Sequence, residues 1–360
     1  MELGLFSLMP LRDTARPPKT IYEDTIGLVK DAEAGGFDIA WFAEHHFGNY
    51  SMCPSPLMMA SHCAGVTSRI ALGAAVLVTP LYYPMRVIQE LGMLDILSGG
   101  RAVIGLGSGY QGYEFDRYGV DLKENWAITH EFMDILEMAL ETGQVTYEGK
   151  HFHIPETPIG VRMMQENPRV YIAGNEPAYL ERSCRRGYTP IATVGGQPVE
   201  VMLKVKNHVV EQFRKAGWQG TDVPFGMQRS VFVTDDPDEA LHAAAQSLYT
   251  ARLVMAFRGN YEKLDGFELV PQPYEGEPTP EQIRDILPMG NAETCAERIV
   301  AELKAVRPSH YSCFMQSGNI EGTAARRSME RFITDVLPMV EAEVGSLKDF
   351  GPDLGQMAAQ

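Results

Sequence analysis

Eight short apolar runs of strand length recur along the chain, most of them followed by a helical stretch. They are Leu3–Leu8, Phe37–Phe42, Ile70–Val78, Ala102–Leu106, Val170–Ala173, Pro190–Val194, Met227–Val233 and Tyr311–Met315. A run that is apolar throughout, such as Ile70–Val78, suits a strand covered on both faces, the condition of a parallel sheet wrapped in helices. Eight β/α units in one chain predict a (β/α)8 TIM barrel, whose active site is built on the loops after the strands. Those loops hold Glu44-His45-His46, Thr79-Pro80, Ser108-Gly109-Tyr110, Gly174-Asn175 and Gln316. Motifs scattered in sequence are therefore expected at one mouth.

The punctuation agrees. Ile21, Leu28, Val29 and Ala32 make one helical face, and Gly35-Gly36 supplies its stop. Pro84 can open the helix that carries Val87, Ile88, Leu91 and Leu94. Thr146–Ile154 reads as a small hairpin outside the barrel. The rhythm fails over residues 257–289, rich in proline, glycine and acids, which is expected to be a lid or a disordered insertion between units seven and eight. Residues 1–345 are read as one barrel domain and 346–360 as a fraying tail.

Charge narrows the partners. The chain has 47 acidic residues against 31 Lys and Arg, a net charge of −16, which disfavours nucleic acid and anionic membrane surfaces. Its five cysteines are widely spaced with no CxxC pair, so neither a disulfide framework nor a zinc cluster is expected and a reducing compartment fits. The opening MELGLFSL lacks a basic region before an apolar core, and no apolar run reaches transmembrane length. A cytoplasmic protein without a signal peptide is expected.

Two turns could cradle a phosphate. Gly107-Ser108-Gly109-Tyr110-Gln111-Gly112 matches GxGxxG after a strand, yet it sits in the fourth unit, whereas a dinucleotide fingerprint opens its domain. The backbone N–H groups that small residues expose would serve any phosphate ligand. Gly174-Asn175 follows the adjacent fifth strand and could grip the same phosphate. Glu44-His45-His46 lacks metal-binding spacing. A histidine at a strand end suits acid–base work near neutral pH, although a hydrogen-bonded rim histidine is the plainer role. Ser108 is not in a GxSxG elbow, because Leu106 and Tyr110 occupy the glycine positions.

AEHHF, LGAAVLVTPLYYPMRVIQELGMLDILSGGR and GLGSGYQGYEFDRYGVD, with the later YEGKHF, VYIAG, NAETCAERI and RSMERFITDVLP, together resemble the bacterial luciferase-like flavin monooxygenases over nearly the whole chain. The resemblance implies a (β/α)8 barrel that uses reduced FMN from a separate reductase, and O2, through a flavin C4a-peroxide. It makes His45 the active-site histidine and sets Glu44, beside it, among the cofactor-binding residues. It places Ser108, Gly109, Tyr110, Gly174 and Asn175 at the phosphate and Ala74, Ala75 and Val76 behind the isoalloxazine, with a cis peptide at Ala75–Val76. A homodimer is implied as well.

The chain departs from that pattern. Ser108 replaces a phosphate-binding arginine, Gly174 replaces an acid, and Trp126 stands where many relatives have arginine; Arg182, Arg185 or Arg186 are candidates to compensate. Tyr82, Tyr83, Met52, Met58 and Phe47 could line an apolar pocket for a hydrophobic aldehyde or ketone, and no cluster demands a charged substrate. Hydride transfer with a deazaflavin or nicotinamide coenzyme, and a non-catalytic flavin-binding subunit, remain as alternatives.

Overall fold

The computed structural model describes residues 1–354 except Val194. Eight strands form the barrel: β1 (Glu2–Ser7), β2 (Ile39–Phe42), β3 (Ala71–Ala74, resumed at Leu77–Val78), β4 (Ala102–Gly107), β5 (Val170–Ala173), β6 (Thr189–Ala192), β7 (Gly226–Ser230) and β8 (His310–Phe314). Every neighbouring pair in the ring is parallel; β8 lies against β1, and β3 against β4 closes the ring. The register sets Leu5 between Ala40 of β2 and Cys313 of β8. β2 and β4 are buried along their whole length, as strands covered on both faces must be.

The helices are α1 (Pro18–Ala34), α2 (Pro56–Ala64), α3 (Pro84–Ser98), α4 (Gly112–Tyr118), α5 (Asn125–Thr142), α6 (Pro177–Arg186), α7 (Val199–Lys215), α8 (Pro237–Gly259), α9 (Pro280–Ile286), α10 (Ala292–Val306), α11 (Gly322–Arg331) and α12 (Leu337–Val344). α1 begins with proline at its first position, where a missing N–H costs nothing. It buries Ile21, Thr25, Leu28, Val29 and Ala32 against the strands. The main core lies between the strand ring and these helices, while a smaller cluster of Ile39, Trp41, Ala71, Val103 and Tyr171 fills the barrel interior.

Inside the barrel, Trp41 donates its indole N–H to His310 Nε2 at 2.9 Å and meets Tyr171 edge-on. Complete burial, with Arg169 nearby, holds His310 down at about 3, so it is neutral in the folded protein. Unfolding releases it to an ordinary pKa near 6.5. The unfolded chain then binds the extra proton, and stability falls as pH drops from about 6.5 towards 3, by up to about 1.4 kcal/mol per unit for this group. Urea midpoints of wild type and His310→Gln, compared across that range, should show a shallower acid loss in the variant.

Several boundaries differ from expectation. β3 is interrupted at the cis Ala75–Val76 peptide. β6 starts at Thr189 and ends at Ala192, and the expected end at Val194 lies outside the described residues. Phe232–Val233 leave the barrel to pair with Met289–Gly290. α8 runs on to Gly259 because Leu253, Ala256 and Phe257 continue its buried face, which takes the first residues of the expected insertion into a helix. The rest is a short hairpin (Leu264–Asp265 with Glu268–Leu269) and α9. The segment after Gly345 is docked as far as residue 354. The Met1 amine donates to Leu347 and Phe350 carbonyls, and Thr221 to that of Asp353; the tail beyond lies outside the described residues.

Candidate active site

The loops after the strands bring Glu44, His45, His46, Ala75, Val76, Ser108, Gly109 and Tyr110 to the C-terminal mouth. Glu44 is buried, and its carboxylate ties three elements together. Oε1 lies 2.9 Å from His46 Nε2, Oε2 accepts from Val78 N–H at 3.1 Å, and the Tyr82 hydroxyl also bonds to it. Burial raises its pKa against the pull of those partners. Tyr118 contacts the other face of the same histidine, its hydroxyl 3.0 Å from His46 Nδ1. His46 is thereby the hydrogen-bonded rim histidine, while Glu44 bolts the end of β2 to the resumed β3.

His45 differs. Its Nδ1 lies 3.1 Å from Glu114 Oε1, an oxygen that also accepts the His46 backbone N–H at 2.7 Å. A carboxylate can only accept, so this contact suits a proton on Nδ1, which in the neutral ring leaves the lone pair on Nε2. The Gln111 amide nitrogen Nε2 lies 2.9 Å from the same Nδ1 and donates to the Tyr110 hydroxyl at 3.3 Å. His45 Nε2 has no hydrogen-bond partner among the described residues. The ring packs on Tyr50 at 4.6 Å and on the edge of Tyr110 at 6.1 Å. Burial pushes the Tyr50 and Tyr110 hydroxyls, which are bonded to each other, above their ordinary pKa. Neither ionises near neutrality, which leaves His45 as the group fitted to move a proton there.

The turn after β4 is rigidly held. Asn125 Nδ2 donates to Gly109 O at 3.2 Å, and Thr79 Oγ1 donates to Gly107 O at 3.2 Å. Ser108 Oγ reaches only the Gly109 carbonyl, at 3.4 Å. Gly174 lies across from it, where an added Cβ would come 2.5 Å from Trp126 and 3.2 Å from Tyr179. The Asn175 carbonyl accepts from His208 at 3.0 Å when Nε2 bears the proton. Ala75 and Val76 are half-buried at the break in β3, a small apolar ledge that suits a flat ring. These features fit a flavin: an apolar backing, a turn of small residues with a spare hydroxyl, and a histidine with a free nitrogen.

Other expectations are corrected. Arg182 is bound to Glu137 and Asp134, and Arg186 to Glu137 and Glu141. Neither is free for a phosphate; Arg185 pairs with Glu181 at the surface. Gln316 turns away to Asp24 and the Ile320 carbonyl. Met58 and Tyr83 are largely exposed and Tyr82 is committed to Glu44, so the five proposed lining residues do not form one pocket. The apolar wall of the mouth is instead Leu8, Tyr50, Tyr249, Leu253, Phe257, Leu269 and Phe314. Burial pushes the thiols of Cys53, Cys63 and Cys295 up to about 12, so these are inert core residues.

Glu114, Gln111 and Tyr50 escaped sequence reading. Glu114 and Gln111 lie in the loop and first turn after β4, and only folding brings them to the β2 loop. Asn49, also missed, is a clasp. Its Nδ2 donates to Leu11 O at 3.1 Å and its Oδ1 accepts from Leu269 N–H at 2.8 Å. Its own N–H donates to Phe267 O at 3.0 Å. The insertion is thus pinned across the loops after β1 and β2. Asn49→Ala leaves two buried backbone groups unpaired and should cost about 1–3 kcal/mol. Limited proteolysis should then cut within residues 260–279 faster than in wild type; an unchanged rate would mean that other contacts hold the segment.

A parallel barrel that gathers polar side chains and a small apolar ledge at its C-terminal mouth is the architecture of the (β/α)8 enzymes. Residues 1–309 match the family model of the luciferase-like monooxygenases, and the chain belongs to that family; it is a flavin-dependent monooxygenase. An uncharacterised protein of Sinorhizobium fredii is 32% identical over 347 residues, 96% of this chain and 99% of that one. The oxygenase component of the flavin-dependent trigonelline monooxygenase of Acinetobacter baylyi is 25% identical, over 94% of this chain and 95% of its own. Among solved structures, the monooxygenase RslO1 of Streptomyces bottropensis superposes with a TM-score of 0.80 at 21% identity, covering 94% of this chain and 99% of its own. The FMN complex of the oxygenating constituent of 3,6-diketocamphane monooxygenase, from a Pseudomonas putida plasmid, has a TM-score of 0.72 at 18% identity, covering 94% and 98%. Among the described residues no helix is long and apolar enough to cross a membrane.

Proposed function

We propose that the protein is the oxygenating component of a two-component system, taking reduced FMN from a separate reductase and inserting one atom of O2 into a small aldehyde or ketone. The observation that carries this reading is His45 at the end of β2, next to the strand that holds the Ala75–Val76 peptide, with Nδ1 engaged by Glu114 and Nε2 without a hydrogen-bond partner among the described residues. The oxygenase-component relative and the FMN-bound structural neighbour support it. Bound reduced flavin would supply the two electrons that activate O2, one oxygen atom going to substrate and the other to water.

The protein's own groups do the rest. Ala74, Ala75 and Val76 back the ring. Ser108, Gly109 and Tyr110, with Gly174 and Asn175, hold the phosphate through backbone N–H groups and a hydroxyl, which makes a guanidinium dispensable. His45 Nε2 accepts and returns a proton at the reacting end of the flavin. The insertion clasped by Asn49 acts as a lid that excludes water. Met58, Tyr83, Met93, Ile96 and Leu97, on α2, at the start of α3 and along α3, are all exposed, and they are the face on which a homodimer would form.

The test supplies chemically reduced FMN and isotopically labelled dioxygen to the protein with a panel of aldehydes and ketones. One labelled oxygen atom per product molecule is expected. Product formed without label, or only with a reduced deazaflavin and no oxygen uptake, would replace oxygenation by hydride transfer. Flavin oxidised at the rate of free FMN with no product would leave only flavin binding.

A further inference from the structure

Three arginines stand around the mouth: Arg12 in the loop after β1, and Arg252 and Arg258 on α8. Arg252 is neutralised by Glu277 of the insertion through two hydrogen bonds, of 2.9 and 2.5 Å. The other two have no carboxylate partner among the described residues, although the chain holds 47 acids. The Arg258 guanidinium carbon lies 5.2 Å from the centroid of the Tyr110 ring. Arg12 sits 4.2 Å over Tyr249 and donates to Gln246 Oε1.

Tyr110 is the pivot. The same ring meets His45 edge-on and packs into the apolar mouth cluster with Tyr50, Phe257 and Phe314. An uncommitted cation and the imidazole with the uncommitted Nε2 therefore flank one side chain. A guanidinium held against an aromatic face stays charged, is weakly hydrated and presents a planar fork of donors, the geometry that grips a carboxylate bidentately. In a protein of net charge −16, an unpaired arginine at the mouth also gives an anion a local attractive field that the body of the molecule does not. Arg12, from the loop after β1 and seated over Tyr249 of α8, adds to it.

Two anions could use such a cation, the flavin phosphate or a charged group on the substrate. The small-residue turns are walled by Trp126 and Tyr179 on the β5 side. Arg258 stands instead over Tyr110, whose neighbours are Tyr50 and His45 from the β2 loop and Phe314 from the end of β8. The Tyr110 backbone belongs to the proposed phosphate turn, but its ring is turned towards His45, and it is beside that ring that Arg258 stands. We propose that Arg258 binds a carboxylate on the substrate, so that the protein takes an oxo acid, apolar along its body and anionic at one end. This rests on the monooxygenase reading and narrows the substrate class that reading left open.

The test is calorimetric titration of the FMN-loaded full chain with para-formylbenzoate and with a medium-chain ω-oxo fatty acid, each beside its methyl ester. The acid should bind at least about tenfold more tightly than its ester in at least one pair, with the ratio shrinking as salt is added. Arg258→Gln should bring the ratio close to one, and Arg258→Lys should keep part of it. The side chain is exposed, so both variants are expected to fold. No preference in either pair, by equal binding or by none, overturns the proposal, as does a preference that survives Arg258→Gln. A weaker FMN affinity in that variant with the ratio intact would hand the guanidinium to the flavin phosphate. Binding is read without turnover. A carboxylate preference with no labelled product would therefore defeat the monooxygenase reading and leave this site standing.

Discussion

His45→Ala should lower substrate oxygenation by about two to four orders of magnitude, the range typical of a lost general acid–base group. Oxygen uptake should continue, with the oxygen emerging as hydrogen peroxide instead of in product. The expectation rests on the two ring nitrogens being in different states. Nδ1 is engaged by Glu114 and Gln111, while Nε2 has no hydrogen-bond partner among the described residues. Tyr50 and Tyr110 cannot take over, because burial raises both hydroxyls above their ordinary pKa. His46 cannot either, being held between Glu44 and Tyr118. The fold should survive, since the lost ring packs only against the mouth. Product formed per O2 consumed, with far-UV circular dichroism as the control, decides it; wild-type coupling in the variant would remove His45 from the chemistry.

Gly105→Ala should cost about 3 kcal/mol or more and leave little soluble protein, the extreme of overpacking. A Cβ at Gly105 would stand 1.9 Å from the Ala74 carbonyl oxygen and 3.4 Å from the Trp41 ring. The first of these is backbone and cannot swing aside as a side chain would. β4 must therefore part from β3 at the residue before the Ala75–Val76 ledge, opening the barrel where the flavin is proposed to rest. Urea denaturation should show a lowered midpoint, and FMN affinity should fall with it. A variant as stable as wild type would mean that β3 can shift without harm.

How much of this was legible beforehand depended on the distance over which each signal acts. The strand runs and helix stops are local, and they located all eight β/α units. Breakpoints were less visible where tertiary packing overrode them. Pro190–Val194 and Met227–Val233 read as continuous strands, yet β7 stops at Ser230 because Phe232–Val233 find a second partner in Met289–Gly290. Residues 257–289 read as irregular because Pro and Gly dominate them. α8 nevertheless runs to Gly259, because Phe257 is buried under the mouth. Arg182 and Arg186 looked free in a basic run, and only the approach of α5 to α6 supplies Glu137 to both.

The candidate site shows the same division. Position after a strand end, together with the family motifs, singled out Glu44, His45, Ser108, Gly109, Tyr110, Gly174 and Asn175. Nothing in the string EHH distinguishes its two histidines. Their difference comes from Glu114, sixty-nine residues beyond His45, and from Tyr118.

By itself, then, the sequence determined the alternation of elements, the closed parallel barrel they make and the end at which polar residues gather, because periodicity and turn chemistry act between near neighbours. Only the tertiary structure decided which nitrogen of which histidine is free, which arginines are already neutralised and what pins the insertion. Those outcomes depend on hydrogen bonds and ion pairs between residues far apart in the chain, whose partners are chosen by the packing of the barrel.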